Sequence, residues 1–572
     1  MSFKETRSAQ LFPTLNTGQI QVAKRFASAA PRSFAPGEVL ASVGEKTPPA
    51  FLVLTGEIVV TTGPQSDSII TRHSAGAMTG EISQLAGRPS LVELRAGEQG
   101  CEVLPFDAPH LRALLIGSAE LGELLMRAFI LRRVAFIADE SAGTVLVGHP
   151  QSPAMIRLEG FLSRNGQPYS VVEHGENGGA LDEKLGLTEA DLPVAVCPGG
   201  ETLRHPTEAQ LAVCLGITPE LDPSKIYDVA IVGAGPAGLA AAVYAASEGL
   251  SVIVLDARGL GGQAGASARI ENYLGFPTGI TGQALMGRAF TQAVKFGVEI
   301  AVPLAVEQLD CRGEKRSPGE PLGLSLSNGA TVQARTVVIA SGARYRKPAI
   351  ADLDNFEGAG VSYWASPVEA KLCEGEDVVL VGGGNSAGQA VAFLAPKVRQ
   401  LHVVVRGEGL AASMSRYLID RIEALPNVEL HTRTEVAAVA GEHNTGLQTV
   451  QFRNRDTGAI ITKDIRHLFL FVGADPNTSW LEGCVVQVDR QGFVLTGCDG
   501  AAHAQLSLQT SVPGVFAIGD VRAGSTKRIA AAVGGGGGGR ADPCLSGIVS
   551  KRSCLKKPQK LLQTGRRGAP IH

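Results

Sequence analysis

Hydrophobic spacing divides the chain into three stretches with different patterns. Between residues 36 and 125, short apolar runs such as 51–60 alternate with glycine turns and predict strands, and a spacing of three and four residues then predicts helices. That spacing runs through Leu111, Leu114, Leu115, Leu121, Leu124 and Leu125. From 144 to 221 strands and helices alternate, and beyond 227 apolar strands lead into glycine-rich turns and helices. The pattern predicts a multidomain fold with a small β-barrel, an α/β unit and two Rossmann-like three-layer α/β domains.

Composition agrees with several globular domains. The chain has 572 residues, 44% of them hydrophobic and 19% charged, whereas a single hydrophobic core stops growing near about 250–300 residues. A net charge of -3 gives no field that would recruit nucleic acid or a membrane surface. The first eight residues are polar, and the apolar run 229–246 is interrupted by glycines and a proline. We therefore expect a cytoplasmic chain that does not contact membranes.

Three segments near the N-terminus, at 36–40, 54–58 and 80–89, resemble the cyclic nucleotide-binding domain over about residues 10–138. The resemblance implies that the backbone at Gly80 meets a cyclic phosphate and that Glu81 takes a ribose hydroxyl. The arginine that this family uses to pair with the phosphate is replaced by Ser90. Two interpretations stay open: a degenerate site that still binds a cyclic nucleotide, or a retained barrel that serves as a regulatory or packing module.

The stretch 144–221 predicts strands at 144–148, 169–173 and 191–196 and helices at 154–165 and 207–215. This order resembles a thioredoxin or glutaredoxin fold, with Pro193 at the position of that family's cis-proline. Where the family carries C-x-x-C, the segment 149–153 reads His-Pro-Gln-Ser-Pro. Disulfide exchange needs a thiolate, so we expect an adaptor or docking role for this unit. The segments 139–143 and 218–225 are predicted linkers.

A complete dinucleotide fingerprint begins at residue 227. A strand leads into Gly233, Gly235 and Gly238, a helix follows to 247, and a second strand delivers Asp256 eighteen residues after the last glycine. The glycines permit a tight turn, a close approach of backbone to pyrophosphate and close packing of helix on strand, and the acid can accept from a ribose hydroxyl. Pro236 and Ala237 complete the turn.

A second fingerprint follows the strand 377–381. Its turn contains Gly382, Gly384, Asn385, Ser386 and Ala387, and a helix and a strand come next. At the end of that strand stands Arg406 in place of an acid. Since a guanidinium binds a 2′-phosphate and an acid would repel it, the sequence predicts NADPH in preference to NADH. Arg416 is a second candidate for this contact.

The two fingerprints, together with segments 260–263, 270–277, 336–344, 471–478 and 514–520, resemble the thioredoxin reductase family from about 225 to 533. The resemblance implies FAD at the first turn, NADPH at the second and a homodimer. It adds to the FAD site the residues Gly262, Gln263, Asn272, Gly519 and Asp520. It also implies an FAD-binding domain at 225–345 and 481–533, with the NADPH-binding domain inserted at 346–480.

The redox-active cysteines of that family are absent. Trp364 and Pro367 stand at the positions of its C-x-x-C pair, so reduced flavin cannot pass electrons to an internal dithiol. The nine cysteines form no C-x-x-C, and we expect buried thiols and no metal site. The acceptor stays open between a quinone, dioxygen, a ferredoxin or flavodoxin, and a disulfide on a partner.

The C-terminal segment 534–572 departs from the family. Six glycines, 534–539, are followed by a strongly basic stretch, and polyglycine costs a helix about 1 kcal/mol per residue relative to alanine. We predict a disordered tail in place of the family's closing helix.

Three functions remain in view. The first is an FAD-dependent NADPH oxidoreductase with an unidentified acceptor and a regulatory N-terminal domain. The second is a flavin-based or cyclic nucleotide-responsive regulator with little turnover. The third is a thioredoxin-disulfide reductase that uses cysteines outside the usual motif.

Overall fold

A computed structural model describes residues 8–63, 69–80, 82–137, 143–150, 152–175, 179–311, 320–442, 446–497 and 507–537. The N-terminal unit is a five-stranded antiparallel sheet flanked by helices, and closure of this sheet into the predicted β-barrel stays a prediction. Its strands are β1 (Arg32–Phe34), β2 (Val39–Ala41), β3 (Ala50–Thr61), β4 (Ile69–Ser74) and β5 (Glu93–Phe106). Its helices are α1 (Ser8–Leu11), α2 (Thr17–Lys24), α3 (Ile82–Leu85), α4 (Ala108–Gly117) and α5 (Ala119–Ile137). The predicted leucine spacing falls on α4 and α5 and supplies much of the core.

The middle unit is a four-stranded sheet in the order β7-β6-β8-β9. β6 (Thr144–Gly148) runs parallel to β7 (Tyr169–Glu173) and antiparallel to β8 (Val194–Val196), and β9 (Thr202–Arg204) runs antiparallel to β8. The helices are α6 (Pro153–Arg164), α7 (Gly179–Leu185) and α8 (Glu208–Cys214). The predicted strand at 191–196 begins too early, because Glu189–Asp191 is a short 3-10 helix, and β9 escaped the prediction altogether. The Leu192–Pro193 peptide bond is cis.

The first nucleotide domain is built on a mixed sheet. Its parallel centre is β12 (Glu299–Ala301), β11 (Val252–Leu255), β10 (Ile226–Val232) and β15 (Thr331–Ile339). β14 (Leu322–Leu326) and β13 (Val306–Asp310) extend it antiparallel, and β26 (Val515–Ala517) returns from near the C-terminus to pair with β15. Helices α9 (Pro236–Ser247), α10 (Gly262–Gly265) and α11 (Gly282–Lys295) cover one face.

The second nucleotide domain lies between β15 and β26 in sequence. Five parallel strands form its sheet in the order β17-β24-β18-β19-β20: β17 (Val361–Ser362), β24 (His467–Leu470), β18 (Asp377–Val381), β19 (Gln400–Val404) and β20 (Val428–His431). Helices α12 (Pro367–Leu372), α13 (Asn385–Leu394) and α14 (Arg416–Glu423) pack on one face. The antiparallel strands β21 (Thr434–Glu442), β22 (Gly446–Asn454) and β23 (Ile460–Asp464) pack on the other. The two-stranded ladder β16 (Ala343–Tyr345) and β25 (Ala474–Pro476) joins the two domains.

The N-terminal unit, the middle unit and the first nucleotide domain share one continuous hydrophobic cluster. Arg88 and Arg133, both from the N-terminal unit, lie over the Phe290 ring of α11, each 5.2 Å from its centroid. Such contacts are worth about 0.5–2 kcal/mol when desolvated. No helix in the described ranges has both the length and the apolar character that a membrane crossing requires.

The prediction of a disordered segment from residue 534 is wrong at its start. Helix α15 (Ile529–Gly537) includes the first four glycines and packs on α9, with Ala532 buried. Packing against a neighbouring element outweighs intrinsic propensity, which is a weak determinant of helix formation in a folded chain. The remainder of the predicted tail lies outside the described residues.

The prediction of buried thiols is also wrong for four cysteines. Cys197 pairs with Cys214 inside the middle unit, and Cys311 pairs with Cys484 in the first nucleotide domain. These partners are 17 and 173 residues apart, so spacing alone gives no sign of them. Cys101 and Cys373 are free and buried as predicted. The other three, Cys498, Cys544 and Cys554, lie outside the described residues.

The helical conformation of the glycine run can be tested by substitution. A Cβ at Gly534 would meet nothing within 4 Å, so Gly534→Ala should raise the local stability of α15 by about 0.5–1 kcal/mol. Hydrogen exchange of peptides covering 529–537 measures this change. Gly519→Ala is the matched opposite, because Gly519 has φ +72 and its Cβ would lie 2.8 Å from the Ala237 Cβ. A loss of protection in Gly534→Ala would contradict a helix there.

Candidate functional site: two glycine turns and the interface between them

The first glycine turn joins β10 to α9. Gly233 has φ +117, and a Cβ there would lie 2.2 Å from the Ala340 carbonyl oxygen, so no side chain fits. A Cβ at Gly238 would lie 1.9 Å from the Gly233 oxygen, which explains why helix and turn can pack so closely. Gly235, by contrast, faces open space, with its nearest neighbour the Gly262 Cα at 3.8 Å. The turn therefore leaves room for a ligand in front of the α9 N-terminus, where Pro236 and Ala237 begin the helix.

Asp256 holds this turn together. One carboxylate oxygen accepts from the Ala234 N–H at 2.9 Å, and the other accepts from the N–H groups of Arg258 and Gly259 at 2.9 and 3.0 Å. A carboxylate oxygen has two lone-pair sites. The oxygen that bonds Ala234 therefore keeps one for a ribose hydroxyl.

Gly519 and Asp520 complete the first site from the far end of the chain. A Cβ at Gly519 would lie 2.8 Å from that of Ala237, so this turn lies against the start of α9. The Asp520 Oδ1 atom is buried, and no group in the described part of the chain donates to it. Burial raises the pKa of this carboxyl, and nearby Lys527 opposes the rise.

An orphaned buried acceptor costs about 1–3 kcal/mol. Two features test whether FAD fits this site. The unsatisfied Asp520 Oδ1 atom suits a hydroxyl donor of the ligand, and the room in front of Gly235 suits its pyrophosphate. Gly262 lies against Gly235, and the Gln263 amide donates to the Ala343 carbonyl. Asn272 lies exposed in the loop that follows, and the structure shows no contact that ties it to the turn.

The second glycine turn repeats the geometry of the first. Gly382 has φ +144, and its Cβ would lie 2.6 Å from the Phe471 carbonyl oxygen. Nothing lies within 4 Å of a Cβ at Gly384, so the space before α13 is open to a ligand. The Asn385 side chain accepts from the Ser415 N–H at 2.7 Å, which holds the start of α14 beside the turn. Ala387, in the first turn of α13, is fully buried.

Arg406 is the residue that the sequence predicts to favour NADPH over NADH. Arg406 is exposed just beyond β19. Arg455 donates to the Arg406 carbonyl at 3.4 Å, and the Arg433 N–H donates to the neighbouring Gly407 carbonyl at 2.8 Å. No signal in the sequence pointed to Arg433 and Arg455, which flank the hairpin strands β21 and β22. Arg433 makes its contact through the backbone, and its guanidinium is paired with Glu408 and Asp456. Arg416 pairs instead with Asp420 at 2.6 Å on the surface of α14.

Tyr345 is a further residue that sequence analysis missed. It lies on the ladder strand β16 that joins the two domains. Burial raises the pKa of its hydroxyl, and Ser386 of the second turn and Asp520 of the first also act on that pKa. Its ring meets Phe471 edge to face with centroids 5.2 Å apart. This half-buried side chain thus lies near both glycine turns, and the only sequence signal was its place after the Ser-Gly-Ala segment at 341–343.

The positions of the missing cysteines flank the start of α12. Pro367 is its first residue, and Ser366 caps it with the Glu369 side chain in a reciprocal pair. The Trp364 indole N–H donates to Glu369 at 2.8 Å. The only free cysteine close by in sequence, Cys373, is fully buried, and burial raises the pKa of its thiol to about 11. It therefore cannot supply a thiolate near neutral pH.

Helix α6 of the middle unit lies across both nucleotide domains. At its start Pro153 lies near Gly358, and at its end the Arg164 guanidinium lies 5.9 Å from the centroid of the Trp364 ring. Gln283 of α11 donates to the Ser163 carbonyl at 2.8 Å. The start of α6 thus approaches the second domain, and its end lies beside Trp364.

The N-terminal unit encloses a cavity where a cyclic nucleotide would bind. Gly80, Ser90, His73 and Arg132 are among its lining residues, whereas Glu81 lies outside the described residues. Ser90 donates to the Val92 carbonyl at 2.7 Å. Arg132 bonds the carbonyls of Leu11, Met78 and Gly80. Arg88, the last arginine before Ser90, points out of the cavity toward Phe290, and burial lowers its pKa to about 9.

Comparison with known proteins settles the family. Residues 227–536, more than half of the chain, match the pyridine nucleotide-disulphide oxidoreductase model. The chain belongs to this family. Residues 31–117 match the cyclic nucleotide-binding domain. The thioredoxin reductase-like members of the family use FAD and NADPH, so the predicted cofactors are confirmed at the level of the family.

Several relatives share only the reductase half. NADPH-dependent thioredoxin reductase 3 of Arabidopsis thaliana is 33% identical over 302 residues, which is 52% of this chain and 54% of the relative. Thioredoxin reductase of Streptomyces clavuligerus is 32% identical over 300 residues, 52% of this chain and 87% of the relative. The crystal structure of T. acidophilum thioredoxin reductase matches with a TM-score of 0.51 at 28% identity. The match covers 58% of this chain and 100% of the T. acidophilum chain. The chain spans about half the length of the first curated relative.

Arg406 gives the prediction for this site. Arg406→Ala should raise the KM for NADPH roughly 10- to 100-fold, because a charged hydrogen-bonded contact is worth about 1.5–3 kcal/mol. The KM for NADH should change little. Arg416→Ala is the matched control, since its guanidinium is already paired with Asp420 on an exposed helix face. Equal effects of the two substitutions on NADPH would contradict the assignment.

Proposed function

We propose that this chain is an FAD-dependent NADPH oxidoreductase that passes electrons to an acceptor other than an internal dithiol. The observation that carries the proposal is the pair of glycine turns in two domains joined by the ladder β16–β25, with tryptophan and proline in place of the redox cysteines. When bound, FAD accepts hydride from NADPH, and this step needs no acid or base from the protein. The contribution of the chain is alignment and exclusion of water.

The residues divide into two binding sets. For FAD we propose Gly233, Gly235, Pro236, Ala237, Gly238, Asp256, Gly262, Gln263, Asn272, Gly519 and Asp520. For NADPH we propose Gly382, Gly384, Asn385, Ser386, Ala387 and Arg406, with Arg455 and Tyr345 beside them. Arg416, the second candidate from the sequence, is paired with Asp420 and serves as the control. Asp520 would accept from a flavin hydroxyl, and Tyr345 would orient the two sites relative to each other. A homodimer and a cytoplasmic location stay predictions.

We propose that the middle unit is a thioredoxin-like docking module without redox chemistry. Its parallel pair β6 and β7, its antiparallel strands β8 and β9 and its cis-proline support that fold. Arg164 at the end of helix α6 lies 5.9 Å from the Trp364 ring, beside the position where an external thioredoxin would have to reach a cysteine pair. The module would therefore hold the two nucleotide domains in one arrangement and keep protein disulfides away.

The N-terminal unit would act as the regulatory domain. Arg88 and Arg133 hold the Phe290 ring, so a shift of the cavity wall that carries Arg88 would reach α11 and the FAD domain directly. The second candidate function, a flavin-based regulator with little turnover, is favoured by helix α6, because its contacts with both nucleotide domains would slow their relative motion.

The first prediction concerns electron transfer. Anaerobic NADPH should bleach the flavin of the purified chain, and oxidised thioredoxin should produce no turnover, because no thiolate stands beside the flavin. Artificial one- and two-electron acceptors should be reduced, and a rate near zero with all of them would favour the regulator. Free thiols counted before and after NADPH should stay equal. Thioredoxin turnover, or new thiols from Cys197 and Cys214, would support the reductase with displaced cysteines instead.

The second prediction concerns the N-terminal cavity. Calorimetric titration with cyclic AMP should show no binding at micromolar concentration, because Ser90 leaves the phosphate without its cation and Arg88 faces the other way. The rate of NADPH oxidation should not respond to the nucleotide. Saturable binding would mean that Arg132 replaces the missing arginine, and Arg132→Lys, which removes the bidentate donor, would then weaken it.

A further inference from the structure

A cluster of three side chains in the second nucleotide domain has no part in the proposed hydride transfer. His402 lies on β19, and Glu429 and His431 lie on the adjacent strand β20. His402 is directly opposite Glu429 in the parallel register, and His431 follows two residues later. All three side chains therefore emerge on the same face of the sheet.

The atoms of this cluster converge on one point. The Nδ1 atom of His402 lies 3.1 Å from the Nε2 atom of His431 and 3.1 Å from a Glu429 carboxylate oxygen. The other carboxylate oxygen lies 3.6 Å from the His431 Nε2. Ligands around a tetrahedral zinc ion, with bonds of about 2.1 Å, lie roughly 3.4 Å apart. The spacing is that of three ligands around one dication.

Hydrogen bonding inside the protein does not satisfy this triangle. In a neutral imidazole each ring nitrogen offers either one hydrogen or one lone pair. A protonated His402 Nδ1 can direct its one hydrogen at Glu429 or at the lone pair of His431, and an unprotonated Nδ1 can only accept from His431. No tautomer therefore makes both contacts at full strength. A dication at the centre would accept a lone pair from each of the three groups at once.

We propose that His402, Glu429 and His431 form a binding site for a transition-metal dication of the zinc class. Two imidazoles and one carboxylate are ligands that zinc and its neighbours in the first row accept. The ion would tie β19 to β20 just before the segment that carries Arg406. Entry would occur past Glu429, whose side chain is half exposed, whereas His402 is buried.

The residues around the cluster favour metal binding, except for one positively charged side chain that opposes it. The Phe452 ring packs on both histidines, with centroids 5.2 Å from His431 and 6.0 Å from His402. Burial lowers the pKa of both histidines, which favours the neutral imidazole that binds a metal. The Lys463 ammonium on β23 also lowers both pKa values, and it would weaken binding of a cation.

Zinc titration of the full chain tests the site. The protein is stripped with a chelator, and Zn²⁺ alone is titrated by calorimetry, with bound metal counted by mass spectrometry after dialysis. Glu429→Gln and His431→Gln should each lower the affinity of one site at least about 10-fold. Lys463→Gln should raise it. His467→Gln, on β24 of the same sheet but outside the cluster, is the control and should leave stoichiometry and affinity unchanged.

Two further measurements keep a folding defect from imitating a lost site. Near-ultraviolet dichroism and the unfolding temperature of each metal-free variant should match the parent chain. X-ray absorption of the zinc-loaded parent should show nitrogen and oxygen ligands without sulfur. Folded variants that bind zinc as the parent does, a parent that binds none, or a sulfur ligand would overturn the proposal. None of these outcomes depends on flavin reduction by NADPH.

Discussion

Both nucleotide sites depend on an approach between backbones that only glycine permits. At the end of β10 a side chain on Gly233 would collide with the Ala340 carbonyl, and at the end of β18 one on Gly382 would collide with that of Phe471. Each carbonyl follows the neighbouring parallel strand, so the clash would separate the two strands that form the floor of the site. A Cβ at Gly384 would meet nothing within 4 Å, and one at Gly235 would meet only the Gly262 Cα at 3.8 Å. The room at these two glycines is where a pyrophosphate can meet the helix N-terminus.

Contacts between the units fix the position of the two nucleotide sites relative to each other. Tyr345 lies on the ladder that joins the two nucleotide domains, helix α6 contacts both domains, and Phe290 receives two arginines from the N-terminal unit. None of these contacts is made by a redox-active side chain. They fix relative position, which is what hydride transfer between two bound nucleotides requires from a protein. The loss of cysteines at Trp364 and Pro367 and in the segment 149–153 leaves this positioning role intact.

Much of the architecture could be predicted because it rests on local rules. Apolar strands followed by glycine turns located β10 and β18, and the leucine spacing located α4 and α5. Several of the predictions that were wrong depend on partners far away in sequence. Propensity alone made α15 unexpected, although α9 supplies the surface that stabilises it. The Cys311–Cys484 pair and the arginines beside Arg406 come from segments that only folding brings together.

The sequence by itself determined the family, the two glycine turns, the preference for an arginine at the second site and the absence of redox cysteines, since each is written in contiguous residues. Only the tertiary structure decided where Arg88 points, which helix covers Trp364, and that His402 meets Glu429 and His431. The physical reason is that side-chain chemistry depends on neighbours within a few ångströms, and strand register and domain packing choose those neighbours.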